Sequence, residues 1–308
     1  DYMDQLKKYS QEEAIKASTV YFGGDSLAAT VFVKKYALRD ADGNMYELTP
    51  DDMHHRLARE YARIEQKFPS ENALSEEKIY DYFSHFSKIV PAGSPMNGIG
   101  NPFQPCVSIA NCFVVGCDSD SYNGIHYIDS CLTAIMKRRG GVGFCMDFLR
   151  PEGAKVNNAA LTSTGAASFM ERFSNTTKEV AMNGRRGALM LNLSTRHPDI
   201  EKFIDMKLEQ GKVTGANISV KIDDEFMDCV KNNKMYTQKF PVDSDNPSIQ
   251  KEISANDLFK KIVYNAWKSG EPGVLFWDTV LRESPADCYA DVGLKTISTN
   301  PCSELTLS

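Results

Sequence analysis

Several things are missing from this chain of 308 residues, and each absence removes a class of function. No run reaches the roughly 18 apolar residues that a membrane-spanning helix needs, which argues against a membrane protein. Positive charge is not in excess: the formal net charge is −6, and without a basic surface to neutralise phosphates a nucleic-acid partner is not expected. The start, Asp1-Tyr2-Met3-Asp4-Gln5, lacks the basic-then-apolar pattern of a secretion signal. It also lacks an initiator Met, so the expectation is that the true terminus lies upstream. None of the eight cysteines (106, 112, 117, 131, 145, 229, 288 and 302) belongs to a C-x-x-C pair, so a zinc ribbon is disfavoured and no metal-ligating set is read. The G-x-x-x-x-G-K-[ST] phosphate loop is absent, as are internal repeats and low-complexity tracts.

What is present is a globular composition, 42% hydrophobic and 25% charged, in a chain long enough for one large domain and a smaller one. Without a secretion signal, reduced thiols in the cytoplasm are expected, with Cys131, Cys145 and Cys229 as small buried residues. Residues 1–90 read as a mainly helical domain. Thr49-Pro50-Asp51-Asp52 is a helix start, with an N-cap, a first-turn proline and two acids at the positive dipole end. The helix it opens runs through Leu57, Tyr61 and Ile64, and Ser75-Glu76-Glu77 opens another. The stretch 31–38 predicts a strand.

Over 91–308 the pattern changes. Apolar runs at 108–115, 142–147, 188–193, 217–222 and 273–276 alternate with amphipathic stretches at 125–138, 166–180, 198–207, 224–231 and 256–269. Such alternation predicts a parallel α/β sheet or barrel. The more polar stretch 230–252 reads as an excursion or hairpin.

The densest chemistry is the last stretch, Ser298-Thr299-Asn300-Pro301-Cys302-Ser303-Glu304-Leu305. In an extended chain, residues i−2, i and i+2 point the same way, so Asn300, Cys302 and Glu304 would face one small molecule. An amide, a carboxylate and a thiol together suit nucleophilic, metal-binding or hydrogen-atom chemistry. The plain alternative is a buried structural cysteine in a turn. Upstream, Ser108-Ile109-Ala110-Asn111-Cys112-Phe113-Val114 predicts a strand with Ala110, Cys112 and Val114 on one face and Asn111 on the other. Gly140-Gly141-Val142-Gly143, followed by Leu149-Arg150-Pro151-Glu152-Gly153-Ala154, permits close backbone approach beside basic side chains that hold phosphates. Asn183-Gly184-Arg185-Arg186-Gly187 reads as a guanidinium-bearing loop, and Gly93-Ser94-Pro95-Met96-Asn97 as a turn-rich one.

Asn-Pro-Cys-Ser-Glu-Leu resembles the finger loop of the ribonucleotide reductase catalytic subunit, and the upstream segments resemble the same family in the same order. The resemblance implies a ten-stranded α/β barrel, of which this chain holds the first half, preceded by the helical domain. It implies radical-based reduction of ribonucleoside diphosphates, with Cys302 as the thiyl, Glu304 taking the 3′-hydroxyl proton and Asn300 orienting the hydroxyls. Cys112 would be one half of the redox pair, and Ser94 a substrate contact. A deoxynucleoside triphosphate effector would meet Arg150 and Asp118, with Arg186 reporting its identity to the substrate site. Also implied are a homodimer, a thioredoxin-like reductant, and a radical source, either adenosylcobalamin or a separate metal-containing subunit. The end at Ser308 falls before the second redox cysteine and second half-barrel, so a piece of a longer chain or of a split enzyme is expected. No ATP-cone module is read at the start. Two other classes stand beside this reading: a nucleotide-binding regulatory homologue without catalysis, and a thiol enzyme using Cys302 as nucleophile.

Overall fold

A computed structural model describes residues 7–68, 70–104, 106–180 and 187–308. The chain divides into two compact units, the first ending at Asn111 and the second beginning at Cys112.

In the first unit, α1 (Gln11–Tyr21), α2 (Ser26–Lys35), α3 (Pro50–Glu65), α4 (Glu76–Phe83) and the short α5 (Gly93–Gly98) bury a core that includes Phe32, Met45, Met53, Leu57 and Ile79. The caps are those the sequence announces. Thr49 is the N-cap of α3, Asp52 accepts the N–H groups of Leu48 and Thr49, and Ser75 accepts the Lys78 N–H at the start of α4. The buried stripe of α3 is Met53, His54, Leu57, Ala58 and Ala62, while Tyr61 and Ile64 are partly exposed.

One expectation fails here: 31–38 is no strand, because α2 covers most of it. Asp25 caps the Ala28 N–H, and Ala29, Phe32 and Val33 fall on one buried helical face. A cap plus tertiary burial outweighs the strand preference of β-branched residues. Residues 91–111 pack with this unit. Arg56, itself buried against Glu47, donates to the carbonyls of Met96 and Ile99, and Asn111 accepts the Ser94 N–H.

The second unit is built on five parallel strands: β1 (Cys112–Val114), β2 (Gly141–Cys145), β3 (Leu189–Ser194), β4 (Asn217–Ile222) and β7 (Gly273–Phe276), hydrogen-bonded in the order β1-β2-β3-β4-β7. The connections carry α6 (Tyr122–Met136), α7 (Met170–Glu179), α8 (Ile200–Asp205), α9 (Asp224–Lys231) and α10 (Ala255–Ser269). Between α9 and α10 the expected hairpin forms from β5 (Met235–Phe240) and β6 (Ile249–Ser254). After β7 come α11 (Trp277–Glu283) and a terminal hairpin of β8 (Ser298–Thr299) and β9 (Thr306–Leu307). β1 is shorter than the apolar run suggests, because Ser108 turns back on Ala110 through its hydroxyl.

Register separates the two faces of this sheet, since paired residues of parallel strands point the same way. Val142, Phe144, Leu189, Leu191, Leu193, Ile218 and Val220 share the face covered by α6 and α7, where Phe144 meets Phe173 edge-on at 4.8 Å. The opposite face carries Cys112, Gly141, Gly143, Cys145, Asn192, Ser219 and Lys221. Val114, Met190 and Leu275 share this face, but from Gly141 and Gly143 to Cys145, Asn192 and Ser219 it is glycine-rich and polar where a packed barrel interior would be aliphatic.

Candidate active site

The polar face of the sheet receives the terminal hairpin. A Cβ on Gly143 would overlap the Thr299 carbonyl, and one on Gly141 would lie 2.6 Å from Pro301 Cγ. The two glycines, read from sequence as a phosphate approach, therefore make room for residues 299–301. Pro301 lies against Gly141, and Gly141 pairs in register with Cys112. Cys302 follows Pro301, so the hairpin tip and Cys112 come to the same, N-terminal end of the strands on the same face of the sheet.

The tip is a turn, which corrects the extended geometry expected for residues 300–304. Ser303 has φ +66° and donates its N–H to the Asn300 carbonyl at 3.1 Å. A left-handed residue breaks the i, i+2 alternation. Cys302 and Glu304 are exposed, whereas Asn300 is buried. Asn300 Oδ1 accepts the Leu305 N–H at 3.0 Å and bridges the turn, while its buried Nδ2 has no hydrogen-bond partner among the described residues.

A second constellation surrounds Arg150, at a cavity of about 220 Å³ lined also by Asp120, Ser121, Tyr122, Asn158 and Phe169. The Arg150 guanidinium donates to Asp120 Oδ2 at 2.7 Å and to the Lys155 carbonyl at 2.7 Å, and its backbone N–H donates to Asp120 Oδ1 at 3.0 Å. The carboxylate beside Arg150 is thus Asp120 and not Asp118. Asp118 is exposed and lines a different cavity of about 840 Å³, together with Asp147, Lys221 and Trp277. Asp120 lines this larger cavity as well, and spacing alone does not show which of the two neighbouring carboxylates meets Arg150. Arg186 lies outside the described residues. Ser94 belongs to the first unit, buried, with its N–H held by Asn111 at 2.7 Å.

No sequence pattern announces the group at the C-terminal end of the polar face. Lys221 Nζ lies 2.7 Å from Asp147 Oδ2, 3.3 Å from Cys145 Sγ and 4.2 Å from the centre of the Trp277 ring. Burial opposes the lysine's charge, but the facing Asp147 carboxylate outweighs it and raises the Lys221 pKa. Burial, reinforced by Asp147, pushes the Cys145 thiol up to about 12, so it stays protonated and unreactive. His197, given no catalytic role from sequence, is buried with Nδ1 accepting the Asp199 N–H and Nε2 donating to the Leu149 carbonyl. Among the described residues no cluster of three or more His, Cys, Asp or Glu could hold a metal, and no helix is long and apolar enough to cross a membrane.

Two domain families match this chain: "Ribonucleotide reductase, all-alpha domain" over residues 23–104 and "Ribonucleotide reductase, barrel domain" over residues 110–308. The chain is 36% identical over 204 residues to the vitamin B12-dependent ribonucleoside-diphosphate reductase of Thermoplasma acidophilum, covering 65% of this chain and 25% of that protein. It is 29% identical over 285 residues to the enzyme of the same description from Mycobacterium tuberculosis, covering 92% of this chain and 40% of that one. It is also 26% identical to the ribonucleoside-diphosphate reductase subunit alpha of Helicobacter pylori, covering 88% of this chain and 36% of that subunit. The chain therefore spans between a quarter and two fifths of the length of these relatives.

Proposed function

Since the chain belongs to the ribonucleotide reductase large-subunit family, we propose that it is the substrate-reducing part of a ribonucleoside-diphosphate reductase, with Cys302 as the cysteine that attacks the ribose. One observation carries this reading: the Cys302 turn is seated in a glycine groove at the end of the sheet where Cys112 lies on the same face.

The reaction replaces a ribose 2′-hydroxyl by hydrogen. Acid and base groups alone do this poorly, because hydroxide leaves an unactivated carbon with difficulty. A radical on the neighbouring 3′ carbon eases its departure. A radical source, adenosylcobalamin or a metal-containing subunit, would supply the one-electron chemistry by which the Cys302 thiol gives up its hydrogen atom, and no described residue is assigned to holding it. The Cys302 sulfur then takes the 3′ hydrogen atom and returns it at the end. Glu304, exposed beside it, takes the 3′-hydroxyl proton and gives it back when the 3′ hydrogen atom is returned. Cys112 and a partner thiol give two electrons and two protons, the 2′ oxygen leaves as water, and the thiols close to a disulfide. Asn300 fixes the turn, and its Nδ2 is the donor left for a ribose hydroxyl.

The Arg150–Asp120 cavity suits a nucleotide effector, with Asp120 facing a sugar hydroxyl and Arg150 a phosphate. A homodimer, a thioredoxin-like dithiol reductant and a cytoplasmic location complete the proposal, the last because the reaction needs reduced thiols.

The test is ribonucleoside-diphosphate reduction by the full-length protein with a dithiol and a deoxynucleoside triphosphate, with and without adenosylcobalamin. Product that requires the cobalamin identifies the radical source. No product in either arm, nor on adding a candidate metal-containing subunit, contradicts the reading.

A further inference from the structure

We infer that Asn192 is a positioning residue that sets the height of the Cys302 loop along the sheet. Its carboxamide is fully buried on the polar face of β3, a position where barrel strands carry aliphatic side chains. Its Nδ2 donates at 2.7 Å to Ser298 Oγ, which is also fully buried and lies 106 residues away in sequence. Its Oδ1 has no hydrogen-bond partner among the described residues. A buried amide is costly unless bonded, and this one directs its bond to the loop rather than to its own sheet.

The geometry explains why such a bond is needed. Where residues 299–301 lie on β2, the sheet presents Gly141 and Gly143. Glycines admit the loop closely but offer nothing that resists sliding. A slip of one residue would carry Cys302 by roughly 3.3 Å, and even about 1 Å of misplacement costs up to ~100-fold in rate. Ser298, four residues before Cys302, is where the slide is stopped. Cys145 and Ser219 flank Asn192 in register and keep its side chain on this face.

The consequence for turnover rests on the function proposed above, so the test has one arm that needs no activity. In the full-length protein, Asn192→Leu, Ser298→Ala and the double variant are compared with the parent. Each single variant is expected to lower kcat about tenfold with KM within about twofold, and the double variant to lose no more than the worse single one. Hydrogen exchange at the Asn300 and Leu305 amides is expected to quicken about tenfold in each, while that of Val142 in β2 stays unchanged. Additive losses, unchanged kcat, or exchange that quickens throughout the sheet would overturn the assignment. Should Asn192→Leu fail to fold, Ser298→Ala decides alone. Should the parent reduce no ribonucleotide, the functional reading falls and the exchange arm still tests Asn192.

Discussion

Gly143 lies so close beneath Thr299 that a single added methyl group would overlap the Thr299 carbonyl oxygen. The obstacle is backbone, which cannot swing aside as a side-chain tip can. Gly143→Ala is therefore expected to push the loop off the sheet and lower turnover at least ~100-fold while the fold persists. Circular dichroism and an activity assay on the full-length protein check this. Full activity in the Gly143→Ala protein would mean that the loop does not rest on β2.

That contact joins residues far apart in the chain, which is why the sequence shows the glycines without their purpose. A local reading sees that backbone must approach something closely at 141 and 143, and assigns a phosphate. What was legible is what local rules determine: the Thr49 and Ser75 caps, the apolar runs of the five parallel strands, the hairpin between α9 and α10, and the octet around Cys302. What was not depends on tertiary burial, as in α2, or on a single dihedral. The φ of +66° at Ser303 turns the chain between Cys302 and Glu304, and nothing in Asn-Pro-Cys-Ser announces it.

Arg150 is joined to the Asp120 carboxylate by two hydrogen bonds of 2.7 and 3.0 Å and to the Asp120 carbonyl by a third of 3.3 Å. Asp120→Ala is expected to weaken deoxynucleoside triphosphate binding about tenfold or more, and Asp118→Ala to leave it unchanged. Calorimetric titration of both variants checks this. Equal losses would return the sequence-based choice of Asp118 to consideration.

Lys221 and Asp147 are a buried pair, and removing one partner strands the other charge. Lys221→Met is expected to destabilise the second unit by about 3–5 kcal/mol, and Lys221→Met with Asp147→Leu by much less. Denaturant unfolding of the three proteins measures it. A double variant less stable than Lys221→Met would contradict the account.

His54 is buried in the first unit, beside Phe86 at 4.6 Å, and neither ring nitrogen has a hydrogen-bond partner among the described residues. Burial pushes its pKa down from 6.5 to about 4. The unfolded chain thus takes up the proton first as pH falls, and stability present above about pH 6.5 drains away down to about pH 4. Thermal unfolding between these limits is expected to show the loss, and His54→Leu to reduce its slope. An unchanged slope would remove His54 from the explanation.

The central claim is that Cys302 performs the chemistry, and one substitution tests it most directly. In the full-length protein supplied with its radical source, dithiol and effector, Cys302→Ser is expected to form no deoxyribonucleotide while binding the effector as the parent does. Deoxyribonucleotide formed by that variant would contradict the claim outright.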